Sequence, residues 1–258
     1  MTTSRYLADY AITCNGDVSL LSNVAIDVTN GRISWIGKQS DAPLNHGPTS
    51  ELGGLVMPGL VNSHAHTPMT LVRGAGDGLP LMDWLTKVMW PREGQMTPED
   101  ALWGMRLGAA EMLLAGVTST CEMYLYEDAI VEAATEIGIR LAITPGIISA
   151  VHGTSLAAVD NRINEISEFH SQHHDPESLI TVGFGPHSAY DLPLNVCSEI
   201  ASAAQDLQAL LHIHVCETET EGATLEAQNG GRSTVQLLTD HGVFDGRVLA
   251  AHSVWLDN

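Results

Sequence analysis

Five histidines and one glutamate carry the chemistry this sequence offers. His64 and His66 close the run Met57-Pro58-Gly59-Leu60-Val61-Asn62-Ser63-His64-Ala65-His66. In an extended segment, residues two apart share a face, and two imidazoles aimed together are what Zn²⁺ or Fe²⁺ needs from one element. His212 and His214 repeat the spacing in Leu211-His212-Ile213-His214-Val215, and Glu217 stands three residues further on, placed to reach over a metal. His187 ends Gly185-Pro186-His187, and His252 ends Val248-Leu249-Ala250-Ala251-His252. Any one of these histidines alone reads as structural. Repetition of His64, His66, His187, His214 and His252 at one end of successive strands points to a metal centre instead.

The elements that would position them follow a regular rhythm. Before residue 55 the chain reads as short strands, Tyr6–Ile12 and a hairpin of 24–28 and 32–37 around Asn30-Gly31. That small β unit is too short to bury a core alone. From Leu55 strands alternate with helices. A helix starts at Thr97, with Pro98 and two acids in its first turn, and stops at Gly116. Further strands are expected at 118–124, 140–143, 180–185, 209–215 and 247–251, with helices at 129–137, 155–169, 194–207 and 233–240. Such alternation implies right-handed parallel units, arranged as a doubly wound sheet or a (β/α)8 barrel. A nucleotide-binding sheet would carry a Gly-rich turn after its first strand, and Asn62-Ser63-His64 is not one. Chemistry clustered just after the strands selects the α/β TIM-like barrel. The expected domains are a β portion over 1–54 and a barrel over 55–258. Only six strands are counted from Leu55, so the sequence reads as the front part of a longer barrel, with six of its eight units.

Eleven basic residues against 31 acidic ones give a formal charge of −20. That field repels nucleic-acid phosphates and anionic lipid, so neither is expected as a partner. The expected partner is a small-molecule substrate, with self-association into a homo-oligomer left open. Cys14, Cys121, Cys197 and Cys216 form no CxxC pair and read as reduced thiols. The N-terminus lacks a signal-peptide pattern and no apolar run reaches membrane-spanning length, which together suggest a cytoplasmic protein.

The segments Pro58–Met69 (PGLVNSHAHTPM), Leu71–Leu85 (LVRGAGDGLPLMDWL), Gly183–Tyr190 (GFGPHSAY), His212–Glu221 (HIHVCETETE) and Ala250–Leu256 (AAHSVWL) resemble the amidohydrolase superfamily. Within it they are similar to the branch of 5′-methylthioadenosine/S-adenosylhomocysteine deaminases and triazine hydrolases. The resemblance implies a composite β-sandwich that the N-terminal strands join. It also implies His64, His66 and His214 as metal ligands, Glu217 as the proton-transfer acid, and His252 as the residue holding the attacking water or the substrate. A fourth metal contact, an Asp after the eighth strand, is expected beyond Asn258. Binuclear relatives carry a bridging lysine on the fourth strand, whereas this chain has only Lys38 and Lys87, so one divalent metal is expected, Zn before Fe. By the same resemblance Trp84 covers the ligand, Glu93 binds ribose hydroxyls, His187 contacts the ring or the activated water, and Arg162 meets a substrate carboxylate. Thr144-Pro145-Gly146 stands where some relatives place an Arg, which leaves adenosine-like and methylthioadenosine-like substrates open. The implied activity is hydrolytic deamination of an adenosine-type nucleoside or related aminated heterocycle. A triazine-type chlorohydrolase and a non-catalytic chain are the alternatives.

Overall fold

The protein is described by a computed structural model covering residues 3–14, 16, 19–44 and 47–256, so Asp257 and Asn258 lie outside the described residues. It forms two compact units, Met1–Gly59 and Leu60–Asn258.

The first unit is a five-stranded sheet of β1 (Thr3–Ile12), β2 (Leu20–Thr29), β3 (Arg32–Lys38), β4 (Thr49–Glu51) and β5 (Leu55–Val56). The β2–β3 turn is Asn30-Gly31, both at positive φ, 51° and 78°, as a twisted two-residue hairpin requires. Arg5 lies opposite Asp27 across β1 and β2 and donates to both its carboxylate oxygens at 2.7 Å. Among the described residues the buried apolar cluster is Ala11, Val24 and Ile26, with Tyr6, Leu21, Val28, Ile36 and Val56 packed against it. Leu55 and Val56 pair with Tyr10 and Ala11 of β1, so the unit extends a few residues past the expected boundary at 54.

The second unit is built from parallel strands β6 (Leu60–Ala65), β7 (Val117–Glu122), β8 (Arg140–Ile143), β9 (Gly146–Ile147), β10 (Ile180–Val182), β11 (Gly185–Pro186), β12 (Leu210–Val215) and β13 (Arg247–His252). Ladders run β10-β8-β7-β6, β11-β9 and β12-β13, and the parallel bridges Phe184–Leu211 and Ser188–His214 join the fourth strand position to β12. Two positions are each split in two, β8/β9 across Thr144-Pro145 and β10/β11 across Gly183-Phe184. The result is six consecutive β/α positions in the order of a TIM-like barrel.

Helices fill every crossover. They are α1 (Leu81–Trp84) and α2 (Trp90–Glu93) with a π turn Leu85–Met89 between them, then α3 (Pro98–Leu114), α4 (Glu127–Ile137), α5 (Ser149–His152), α6 (Leu156–His173), α7 (Leu194–Asp206), α8 (Glu219–Gln228) and α9 (Thr234–Asp240). Met105, Ile130, Leu141 and Ile143 are fully buried between α3, α4 and the first strands. Phe184, Ile200, Leu211 and Ile213 form the second core. Among the described residues no helix is long and apolar enough to cross a membrane.

Two expectations need correction. The run Leu55–Val61 is not one buried strand. It breaks at Met57–Gly59, and in β6 Leu60 and Val61 are 52% and 68% exposed, because β6 is the edge of its ladder and pairs only with β7 among the described strands. The helix α8 has no counterpart in the sequence reading. Its residues Glu219–Gln228 include Gly222 and lack an apolar stripe, so periodicity gives no signal there.

The segment after His66, a 3₁₀ turn over Thr67–Val72, is pressed against α3. A Cβ on Gly104 would stand 2.4 Å from the carbonyl oxygen of Pro68, and one on Gly108 would stand 2.3 Å from Thr67 Cγ2. Thr70 Oγ1 also donates to the Gly104 carbonyl at 2.8 Å. Because the Pro68 neighbour is backbone, Gly104→Ala is expected to cost roughly 1–3 kcal/mol of overpacking strain. Urea unfolding measures it; an unchanged midpoint would mean that the turn does not pack as described.

Candidate metal centre and active site

β6 delivers His64, and His66 follows at the start of the 3₁₀ turn. β12 delivers His214. One ligand nitrogen from each of His64, His66 and His214 lies within 4.8 Å of the others. His66 Nδ1 is 2.6 Å from the Met123 carbonyl, and His214 Nδ1 is 2.7 Å from the His187 carbonyl. A carbonyl only accepts, so each Nδ1 carries the proton and each Nε2 is left with a bare lone pair. Those two Nε2 atoms are 3.3 Å apart. Two acceptors do not hold each other at that distance, but two nitrogens on one tetrahedral ion at roughly 2.0–2.1 Å would be separated by about 3.3–3.4 Å. The donor set therefore fits a divalent cation. His64 completes the group, with its Nδ1 2.8 Å from His212 Nε2.

Electrostatics keep these imidazoles neutral, the form in which they ligate. Burial pushes His64 down to about 3 and His66 down to about 4, with neighbouring imidazoles adding to the effect. Burial likewise lowers His214 strongly and His212 to about 3.

His252 stacks on His214, ring centroids 5.2 Å apart, and meets the His64 ring edge-on at 4.9 Å. Its Nε2 is 3.6 Å from Glu217 Oε1. Both flanking turns are held tightly. The Glu221 carboxylate accepts from the backbone N–H groups of Cys216 and Glu217 at 3.2 and 2.9 Å. The N–H of Ser253 donates to the Val215 carbonyl, and those of Val254 and Trp255 donate to Cys216. Cys216 and His252 have φ of 49° and 70°, left-handed geometry that costs of order 1–3 kcal/mol per non-glycine residue and gathers at working sites.

A pocket opens beside His66 and His187, walled by Trp84, Trp90, Glu93 and Tyr124. The Trp84 indole N–H donates to the Ala75 carbonyl at 3.0 Å, which fixes its plane. Burial raises the Glu93 carboxyl above its ordinary value, with the Tyr124 hydroxyl and His187 acting against that rise. The His187 ring stands 4.9 Å from that of His214, and its Nδ1 is 3.5 Å from Asp191 Oδ2. Asp191 in turn accepts from the Ser149 N–H and hydroxyl. Burial works to raise the Asp191 carboxyl, but these hydrogen bonds outweigh it and hold it low.

Of the residues singled out in the sequence, His64, His66, His214, Glu217 and His252 come together, and His187, Trp84 and Glu93 line the adjoining pocket. Arg162 does not join them. Its guanidinium contacts Glu127 at 2.9 Å and Glu165 at 3.1 Å, in a separate hollow lined also by His152. Sequence reasoning assigned no role to Asp191, Glu221 or Glu122. Glu122, at the end of β7, accepts from the Thr67 N–H at 2.7 Å through one oxygen, leaves the other unpartnered, and is raised to about 7 by burial. An acid closing a strand is the one signal in the sequence that could have found it.

The sequence profile of the amidohydrolase family matches residues 55–258. A 5-methylthioadenosine/S-adenosylhomocysteine deaminase of Symbiobacterium thermophilum is 38% identical over 247 residues, 94% of this chain and 56% of that protein. A 5′-deoxyadenosine deaminase of Methanopyrus kandleri is 36% identical over 236 residues, 89% of this chain and 53% of that protein. The crystal structure of an adenosine deaminase from Xanthomonas campestris, with bound zinc, superposes with a TM-score of 0.88 at 31% identity, covering 99% of this chain and 58% of that one. The chain thus spans about half the length of the curated relatives it matches.

Proposed function

The chain belongs to the amidohydrolase family, and from that premise we propose that it serves hydrolytic deamination of an adenosine-type nucleoside, of the methylthioadenosine or S-adenosylhomocysteine kind, at a one-metal centre. The observation that carries this reading is the pair of bare Nε2 atoms of His66 and His214 beside the His252–Glu217 contact. Metal ligands and a proton-transfer acid stand within one site.

In this reading His64, His66 and His214 hold the ion. An all-imidazole set suits zinc, and the zinc bound in the adenosine deaminase relative supports that choice. A bound divalent ion supplies Lewis-acid activation of water near neutral pH. Glu217 carries a proton to the ring nitrogen and then to the departing ammonia. His252, which neighbours Glu217, steadies the attacking water or the substrate. Trp84 covers the base, Glu93 takes ribose hydroxyls, and His187, braced by Asp191, faces the ring. Arg162 receives no role, because Glu127 and Glu165 already engage it. The N-terminal sheet, with its small buried cluster, is read as part of a composite β-sandwich.

Glu217 favours deamination over displacement of halide, since protonating a ring nitrogen is the step it serves. The test is to load the protein with zinc and supply methylthioadenosine, S-adenosylhomocysteine, adenosine and 5′-deoxyadenosine, with released ammonia as the readout. Ammonia from at least one nucleoside, lost on chelation and restored by zinc, is the expected result. Zinc binding without ammonia from any of them would sink the proposal. Chloride release from a chlorotriazine alone would replace it with the displacement reading.

A further inference from the structure

His212 lies two residues before a proposed ligand on the same strand, is fully buried, and is absent from the chemistry above. Its surroundings dictate where its protons are. Thr144 Oγ1 lies 3.0 Å from the Glu122 carbonyl oxygen and 3.0 Å from His212 Nδ1. The carbonyl cannot donate, so the single hydroxyl proton of Thr144 points to it. Thr144 Oγ1 must then accept from His212, which places the His212 proton on Nδ1, with Cys121 Sγ 3.4 Å away on the same side. In a neutral ring Nε2 is consequently an acceptor. That atom is 2.8 Å from His64 Nδ1, so His64 is the donor between them.

We infer that His212, held by Thr144, is a positioning residue that fixes His64 as its Nδ1–H tautomer and so presents His64 Nε2 as the third metal-ligand nitrogen. His66 and His214 obtain the same tautomer from backbone carbonyls. Among the described residues His64 has no such carbonyl partner, and it relies on a side-chain relay, His64 to His212 to Thr144 to the Glu122 carbonyl. Partners of this kind orient a ligating ring and raise its basicity, and their loss typically weakens metal binding 10–100-fold. The inference rests on reading His64, His66 and His214 as ligands.

Long-range ¹H–¹⁵N correlation spectra of the histidine rings test it in the metal-free wild-type protein. His64 should show a protonated Nδ1 and an unprotonated Nε2, and His212 the same pattern. A His64 that carries its proton on Nε2 would overturn the inference before any variant is made. Zinc affinity by chelator competition supplies the second readout. His212→Leu should bind zinc 10–100-fold more weakly. His212→Gln, whose Oε1 can take the place of Nε2 as acceptor, should stay within a few-fold of wild type. Equal losses in both variants would indicate packing rather than proton placement, and an unchanged His212→Leu would remove the role; either overturns the inference. The expected tautomers in a wild-type protein that binds no zinc would leave the relay standing and sink the metal reading instead.

Discussion

Glu217→Gln is expected to lower ammonia release by roughly 10²–10⁴-fold while the protein keeps its zinc. The carboxylate is partly buried, 3.6 Å from His252 Nε2, and its backbone N–H is pinned by Glu221. Glutamine preserves the volume and one accepting oxygen but neither gives nor takes a proton at working pH. Since Glu217 is not among the three grouped ligand residues, its loss should leave metal content untouched. Steady-state ammonia release and zinc stoichiometry, measured on the same preparation, separate the outcomes. Unchanged turnover would remove the proton-transfer role, and joint loss of zinc and turnover would make Glu217 a ligand instead.

The second large effect is on stability in acid. His64, His66, His212 and His214 are all held neutral in the folded protein, well below the ordinary histidine value of 6.5. Unfolded, each would take up a proton as pH falls through 6.5. The unfolded chain then binds more protons than the folded one, so stability is fully present above 6.5 and falls as pH drops towards the folded-state values. Between pH 7.5 and 5.5 four such groups together cost about 5 kcal/mol by linkage. Glu122 works in the other direction. Its folded-state value is raised to about 7, so its burial is least costly in acid, and over the same window it returns about 2 kcal/mol. The net expectation for the metal-free protein is a loss of roughly 3–4 kcal/mol, measured as a falling urea midpoint at pH 7.5, 6.5 and 5.5. A flat profile would contradict the burial of neutral imidazoles. Zinc affinity of the folded protein should hold nearly constant through the same window, because its ligand imidazoles are already unprotonated there.

Much of this organisation was legible from residue order. Thr97, Pro98 and Asp100 announced the start of α3, where Thr97 and Asp100 form a reciprocal capping box, and Gly116, at φ 82°, marked its end. The two-residue spacing of His64 and His66, and the three-residue step from His214 to Glu217, pointed to side chains that the fold brings together. What the sequence hid lies in contacts over long separation. Nothing in Ser149 or Asp191 announces that they brace His187, since the bond spans 42 positions and depends on two loops meeting. His212 shared a face with His214 by period, but its partner Thr144 is 68 residues away, and that distance concealed the relay. Arg162 misled for a related reason. An isolated cation reads as available until its neighbours are placed, and Glu127 reaches it from another helix.

The two sides of the pocket differ in how they are made. His66 and His187 follow strands held in parallel ladders. Trp84 and Glu93 ride on two four-residue helices separated by the π turn Leu85–Met89, a segment in which Met89 is buried and Trp84 is tied to Ala75 by one hydrogen bond. Insertions or substitutions in 81–93 can therefore reshape what is admitted without moving the histidines behind it. Under the proposed function, a change of substrate with the reaction kept would fall in this stretch. Exchanging this single stretch between two relatives is a direct way to transplant preference while the reaction itself is inherited intact.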